Sequence, residues 1–139
     1  MASKKYWWSK EYGFFGSFYI EGDNSLDGYL QSKKQSLEER TSTEVKGIIN
    51  LLKLKVRDKI LDIPCGYGRH SIELAKQGFN VVGVDINSVH LKQAKKNANN
   101  SNLDIIFEEK NMLNLKYQNE FDAVINMFYS FGFFEKDKE

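Results

Sequence analysis

Two stretches of this 139-residue sequence combine residue types suited to chemistry. The first is Leu61-Asp62-Ile63-Pro64-Cys65-Gly66-Tyr67-Gly68-Arg69-His70, which leaves an apolar run and enters a helical pattern. Gly66 and Gly68 lack side chains, so a ligand can approach the backbone closely, and either can take a positive φ. The helix beyond them opens with unpaired N–H groups and a positive dipole end, which suits a carboxylate or a phosphate. The bland alternative for two glycines is a structural turn. The second stretch is the tip of Val81-Val82-Gly83-Val84, where Asp85 stands 23 residues after Asp62. A carboxylate there can accept two hydrogen bonds from vicinal ribose hydroxyls; its bland alternative is a cap on the next helix. Glycine loop and acid together, at this spacing, indicate an adenosine-type nucleoside.

The elements that would position these groups follow from periodicity. A helix is expected from Thr41, with Thr41 and Glu44 at capping-box spacing. Val45, Ile48, Ile49 and Leu52 then give it one apolar face. Ile60–Ile63 reads as a short buried strand and Ser71–Gln77 as a helix ended by Gly78. Val81–Val84 is a second strand ending at Asp85. Asn87 can cap a helix with Val89, Leu91, Ala94 and Ala98 in register. Ile105–Phe107 and Phe121–Asn126 are a third and a fourth strand. Strands alternating with helices imply right-handed crossovers and a parallel sheet with helices on both faces. Ligands of such sheets bind at the carboxyl ends of the strands, near the topological switch point.

Composition narrows the class. Hydrophobic residues make up 41% of the chain and charged ones 28%, which favours a folded domain over disorder. A net charge of +1 gives no basic excess for a nucleic-acid footprint. Cys65 is the one cysteine, so there is no internal disulfide, and no metal-ligand cluster accompanies it. No apolar run is long enough for a membrane span, and a cytoplasmic location is expected. Residues 1–40 carry an aromatic-rich segment, with Tyr6, Trp7, Trp8, Tyr12, Phe14, Phe15, Phe18, Tyr19 and Tyr29. It either packs on the domain spanning residues 41–139 or serves as a lid over a substrate.

The loop and the acid resemble those of class I S-adenosylmethionine-dependent methyltransferases. Asp62 to Gly68 looks like their first motif, commonly Asp/Glu-x-Gly-x-Gly-x-Gly, with Pro64 in place of the first glycine. The Pro-Cys-Gly-x-Gly-Arg-His version matches a bacterial branch of the family. The resemblance covers roughly residues 40–134 and implies a Rossmann-like parallel sheet flanked by helices, an α/β fold. It implies S-adenosyl-L-methionine as cofactor and S-adenosyl-L-homocysteine as product. By the same resemblance, Asp62 and the backbone of Cys65, Gly66 and Gly68 would face the methionine moiety. Asp85 would take the ribose and Ile86 the adenine face. Asn111 and Met112 stand where the family often has Asp and an apolar residue, and the Asn oxygen can accept from the adenine amino group. Asn126, Met127 and Phe128 would lie beside the sulfonium, and Arg40 could pair with the cofactor carboxylate.

The resemblance leaves the methyl acceptor and the catalytic base open. His70 and Tyr12 are base candidates by type only, and His70 also reads as structural. The expected reaction is methyl transfer to an oxygen or nitrogen of a small molecule. One alternative is a nicotinamide-dependent oxidoreductase, since Gly66-x-Gly68-x-x-Ser71 is close to the dinucleotide fingerprint. Another is a cofactor-binding domain without catalysis. Only about four strands are legible where the family's sheet carries about seven. An incomplete domain is therefore expected, with the fourth strand an open edge through which two copies could pair.

Overall fold

The computed structural model describes residues 35–128. The chain divides into two compact units, Met1–Arg40 and Thr41–Glu139. The aromatic-rich segment and the residues beyond Phe128 lie outside the described residues, and so do the readings that fall on them: the lid and Tyr12 as a base.

Helix α1 spans Leu37–Leu52. It starts a turn before the expected cap, because Ser36 and Glu39 form the capping box instead. The Ser36 N–H donates to Glu39 Oε2 at 2.8 Å, and the Glu39 N–H donates to Ser36 Oγ at 3.2 Å. Thr41, expected as the cap, is a buried residue within the helix, in line with Val45 and Ile48. Strand β1 is Lys59–Asp62, α2 is Arg69–Lys76, β2 is Asn80–Asp85 and α3 is Ser88–Asn100. Strand β3 is Ile106–Glu109, a 3-10 turn covers Met112–Asn114, and β4 is Ala123–Ile125. Asn87 caps α3 as expected, accepting from the N–H groups of Val89 and His90. Val89 does not face inward: it is 57% exposed, and His90 takes the buried place beside it.

The four strands are all parallel, in the order β3-β2-β1-β4. Register brings Asp62 opposite Gly83 on one side and Ile125 on the other, with Asp85 opposite Glu109. The chain order reverses between β1 and β4, so the switch point falls at the end of β1, where the glycine loop departs. Side chains alternate across the strands. Ile60, Val81 and Ile125 join Val45, Ile48 and Leu74 in one cluster, while Phe107 joins Cys65, Ile72, Leu91, Ala94 and Ala98 in another. Helices α1, α2 and α3 thus cover one face. Leu61, Ile63, Val82 and Val84 point the other way and meet Met112, Leu115, Tyr117 and Phe121, so among the described residues the second face is covered by the β3–β4 connection rather than by helix. Each large side chain so buried contributes about 1.5–3 kcal/mol. Among the described residues no helix is long and apolar enough to cross a membrane.

Candidate functional site

The loop between β1 and α2 is tied down from several directions. The Cys65 N–H donates to the Val84 carbonyl at 2.9 Å, the Gly68 N–H to the Cys65 carbonyl at 2.9 Å, and the Ile72 N–H to the Gly68 carbonyl at 2.9 Å. Gly66 and Gly68 both have positive φ, at 54° and 81°. A Cβ on Gly66 would meet nothing within 4 Å among the described residues, so its backbone borders space that none of them fills. A Cβ on Gly68 would come to 2.9 Å from the Ala94 Cβ and 3.1 Å from the Phe107 ring. Glycine at 68 therefore lets α2 and α3 pack against β3. The Cys65 thiol packs in the same cluster, where burial pushes its pKa up and favours the protonated thiol over the thiolate.

Asp85 faces the loop across its mouth. Its Oδ2 accepts from the Gly66 N–H at 2.7 Å and its Oδ1 from the Asn87 N–H at 2.8 Å. A carboxylate offers about four acceptor positions, so these backbone donors do not saturate it. Burial raises its pKa, against hydrogen bonds from the backbone at Asn87 and Gly66 and the nearby His90. The alternative of Asp85 as the cap of α3 is not met, since Asn87 is that cap and Asp85 holds the Asn87 N–H just ahead of the helix. Ile86, next in the chain, is 50% exposed and offers an apolar surface beside it.

Asp62 lies below the loop at 1% exposure. Ser71 Oγ donates to its Oδ2 at 2.5 Å, fixing the first turn of α2 to the end of β1. Burial raises its pKa, with the charge of His70 and the Ser71 hydrogen bonds opposing and Asp85 adding to the rise. Asn111 caps the 3-10 turn, its side-chain oxygen accepting from the Leu113 N–H at 2.9 Å. Met112 packs against the second face of the sheet. Asn126 is exposed just past β4, whereas Met127 packs on the core cluster. Arg40 lies in the first turn of α1 and belongs to the other unit, described by itself. The paired strand ends thus bring Gly66, Asp85, Ile86, Asn111 and Asn126 to one edge of the sheet.

A cluster at that edge escaped sequence reasoning. Glu44 Oε2 accepts from Arg69 Nη1 at 2.5 Å and from His70 Nε2 at 2.9 Å, while Arg69 Nη1 also donates to Thr41 Oγ1 at 2.9 Å. Burial pushes the Glu44 carboxyl up, but the hydrogen bonds and charges of His70 and Arg69 outweigh it, so its pKa lies below the ordinary value. The signal was an acid next to the buried stripe of α1, which reads more readily as part of a capping box. His70 is buried against Glu44, which agrees with its structural reading.

An open, parallel α/β sheet with a glycine loop at the switch point and an acid at the tip of β2 defines a nucleoside-cofactor-binding domain of the Rossmann-like class. The model of the methyltransferase domain family matches residues 60–139. The chain belongs to that family, as a class I S-adenosylmethionine-dependent methyltransferase domain. It is 30% identical over 107 residues to 27-O-demethylrifamycin SV methyltransferase of Amycolatopsis mediterranei, a match covering 74% of this chain and 39% of that protein. It is 30% identical to the tRNA (uracil-54, C5)-methyltransferase of Pyrococcus abyssi, whose structure holds S-adenosyl-L-homocysteine; the TM-score is 0.55, over 72% of this chain and 26% of the other. Coclaurine N-methyltransferase, bound to N-methylheliamine and S-adenosyl-L-homocysteine, shares the fold at a TM-score of 0.63 and 15% identity, over 76% of this chain and 34% of the other. The chain spans well under half the length of these proteins.

Proposed function

We propose that the chain binds S-adenosyl-L-methionine across the carboxyl ends of β1 and β2 and transfers its methyl group to an oxygen or nitrogen of a small-molecule acceptor. The observation that carries the cofactor reading is the Asp85 carboxylate, braced by the Gly66 and Asn87 N–H groups next to open space at Gly66. Asp85 would accept from the ribose hydroxyls, Ile86 would pack on the adenine, and the Gly66 backbone would lie along the methionine portion. The Asn111 oxygen already accepts from Leu113, so its amide N–H groups are the better placed to meet the base. Asp62 acts from beneath, holding α2 through Ser71. Bound, the cofactor supplies a methyl group already activated by its sulfonium. The chain's share is then alignment and exclusion of water, with no residue here assigned as a base.

A small acceptor is supported by the net charge of +1 and by the rifamycin-modifying relative. The Pro64–His70 form of the first motif supports placement in a bacterial branch of the family. Incubation with methyl-labelled cofactor tests the reading, using small amines and alcohols in one arm and tRNA and ribosomal RNA in the other. Label in the small molecules is expected; label in RNA alone overturns the acceptor. Thermal-shift titration with S-adenosyl-L-homocysteine and with NAD tests the cofactor, and stabilisation by NAD alone would remove it.

A further inference from the structure

Helix α2 begins at the cofactor loop, and its N-cap, Gly68, has no side chain to hold it. Its first turn is instead gripped by two carboxylates from other elements. Asp62, on β1, holds Ser71. Glu44, on α1, holds both Arg69 and His70. The same two side chains lie against Phe128 past the end of β4: the His70 ring stacks on it at 5.8 Å between centroids and 20° between planes, and the Arg69 guanidinium lies 5.0 Å above its ring. Phe128 has φ of 62°, a left-handed backbone that a bulky residue rarely adopts, so the chain turns sharply at that contact. One carboxylate on α1 thus connects the loop on which the cofactor would lie to the exit of β4.

We infer that Glu44 is a positioning residue of the methyl-transfer site, fixing the glycine loop in its binding geometry through Arg69 and His70 while touching no cofactor itself. The inference rests on the cofactor reading above. With Glu44 neutral, the charge that holds Arg69 and His70 together is lost in a largely buried place, and the first turn of α2 keeps only its weaker ties, among them Ser71 to Asp62 and Arg69 to Thr41. The loop then samples other geometries, and ordering it falls on the ligand, which weakens binding without removing any ligand contact.

The test uses the full 139-residue chain. Binding of S-adenosyl-L-homocysteine is measured by calorimetry, and amide exchange at Gly66–Ser71 by NMR, in the wild type, Glu44→Gln and Glu44→Asp. Glu44→Gln is expected to bind about tenfold more weakly. It should also exchange faster at Gly66–Ser71 while β1 and β2 stay protected. Glu44→Asp keeps the charge and should recover part of the affinity. Wild-type affinity in a Glu44→Gln protein that merely melts lower overturns the inference and leaves the cofactor reading intact. If Glu44→Gln does not fold, Glu44→Asp decides: its carboxylate is one methylene too short to reach Arg69 and His70 as Glu44 does, so affinity and exchange equal to wild type there overturn the inference equally. A wild-type chain that takes up no S-adenosyl-L-homocysteine removes the cofactor reading, and this inference with it.

Discussion

Gly66 and Gly68 stand two residues apart in one loop, both with left-handed backbone, and their surroundings are opposite. Beside Gly66 the space is open, and its N–H reaches the carboxylate at the tip of β2. Beside Gly68 the space is filled by Ala94 and Phe107. Among the described residues nothing fills the space the first glycine leaves, whereas Ala94 and Phe107 fill the space left by the second. A Gly-x-Gly pair is therefore two devices: one clears a surface, the other lets two helices and a strand close beneath it. Gly83 repeats the second device from β2, since a Cβ there would come to 2.6 Å from the Phe107 ring and 3.0 Å from the Cys65 sulfur. Phe107 thus packs into the space left by two glycines on separate elements.

The comparison breaks most readily at Gly68. Gly68→Ala combines left-handed strain with overpacking against Ala94 and Phe107. Urea unfolding should show a loss of about 3–4 kcal/mol, enough to unfold a large share of a marginal domain. A loss below about 1 kcal/mol would mean that α3 and Phe107 yield easily and that the two glycines do not differ.

Asp85→Ala addresses the open side. It removes the acceptor that braces Gly66 and, on the proposed function, the ribose contact. Affinity for S-adenosyl-L-homocysteine, followed by calorimetry, should fall on the order of a hundredfold, as expected for lost hydrogen bonds to a charged group. Unchanged affinity would detach this carboxylate from the nucleoside. Gly66→Ala should cost only the strain of its backbone, about 1 kcal/mol by urea unfolding, since no neighbour obstructs the new methyl group. Its affinity for the same ligand should nevertheless drop. A variant as tightly binding as wild type would show that the open space is not where the ligand lies.

Much of this arrangement was legible in the sequence, and the reasons are local. Continuous apolar runs marked β1 and β2, Asn87 marked the start of α3, and the glycines and Asp85 marked the carboxyl ends of those two strands. What remained hidden depended on contacts between distant residues. Thr41 and Glu44 have the spacing of a capping box, but Ser36 and Glu39 have it too, and the chain uses the earlier pair. That frees Glu44 to meet Arg69 and His70, a pairing across 25 residues that no local pattern encodes. Gly68 looked like Gly66 because spacing cannot report what fills the space beside a residue. Val89 had the right helical phase, yet it lies on the open side of α3 while His90 turns inward.

The smallest effect expected is in the pH dependence of stability, where buried Asp62 and half-buried Glu44 act with opposite sign. Burial raises the Asp62 pKa above its ordinary value of 3.8. A raised carboxyl contributes stability that is complete below the unfolded value and is lost as pH rises through the folded one. Glu44 is held below its ordinary value of 4.5, so its contribution is present above that value and is lost as pH falls through the folded one. The two windows lie on either side of the ordinary carboxylate range, which makes them separable. Asp62→Asn keeps an oxygen for the Ser71 hydroxyl and removes the charge, so above the ordinary carboxylate range its urea midpoint should change less with pH than that of the wild type. Glu44→Gln should leave that span nearly unaltered and flatten the decline at lower pH. If the Asp62→Asn and wild-type curves run parallel, Asp62 carries no unfavourable charge beneath the loop, and its grip on Ser71 is an ordinary hydrogen bond between a carboxylate and a hydroxyl.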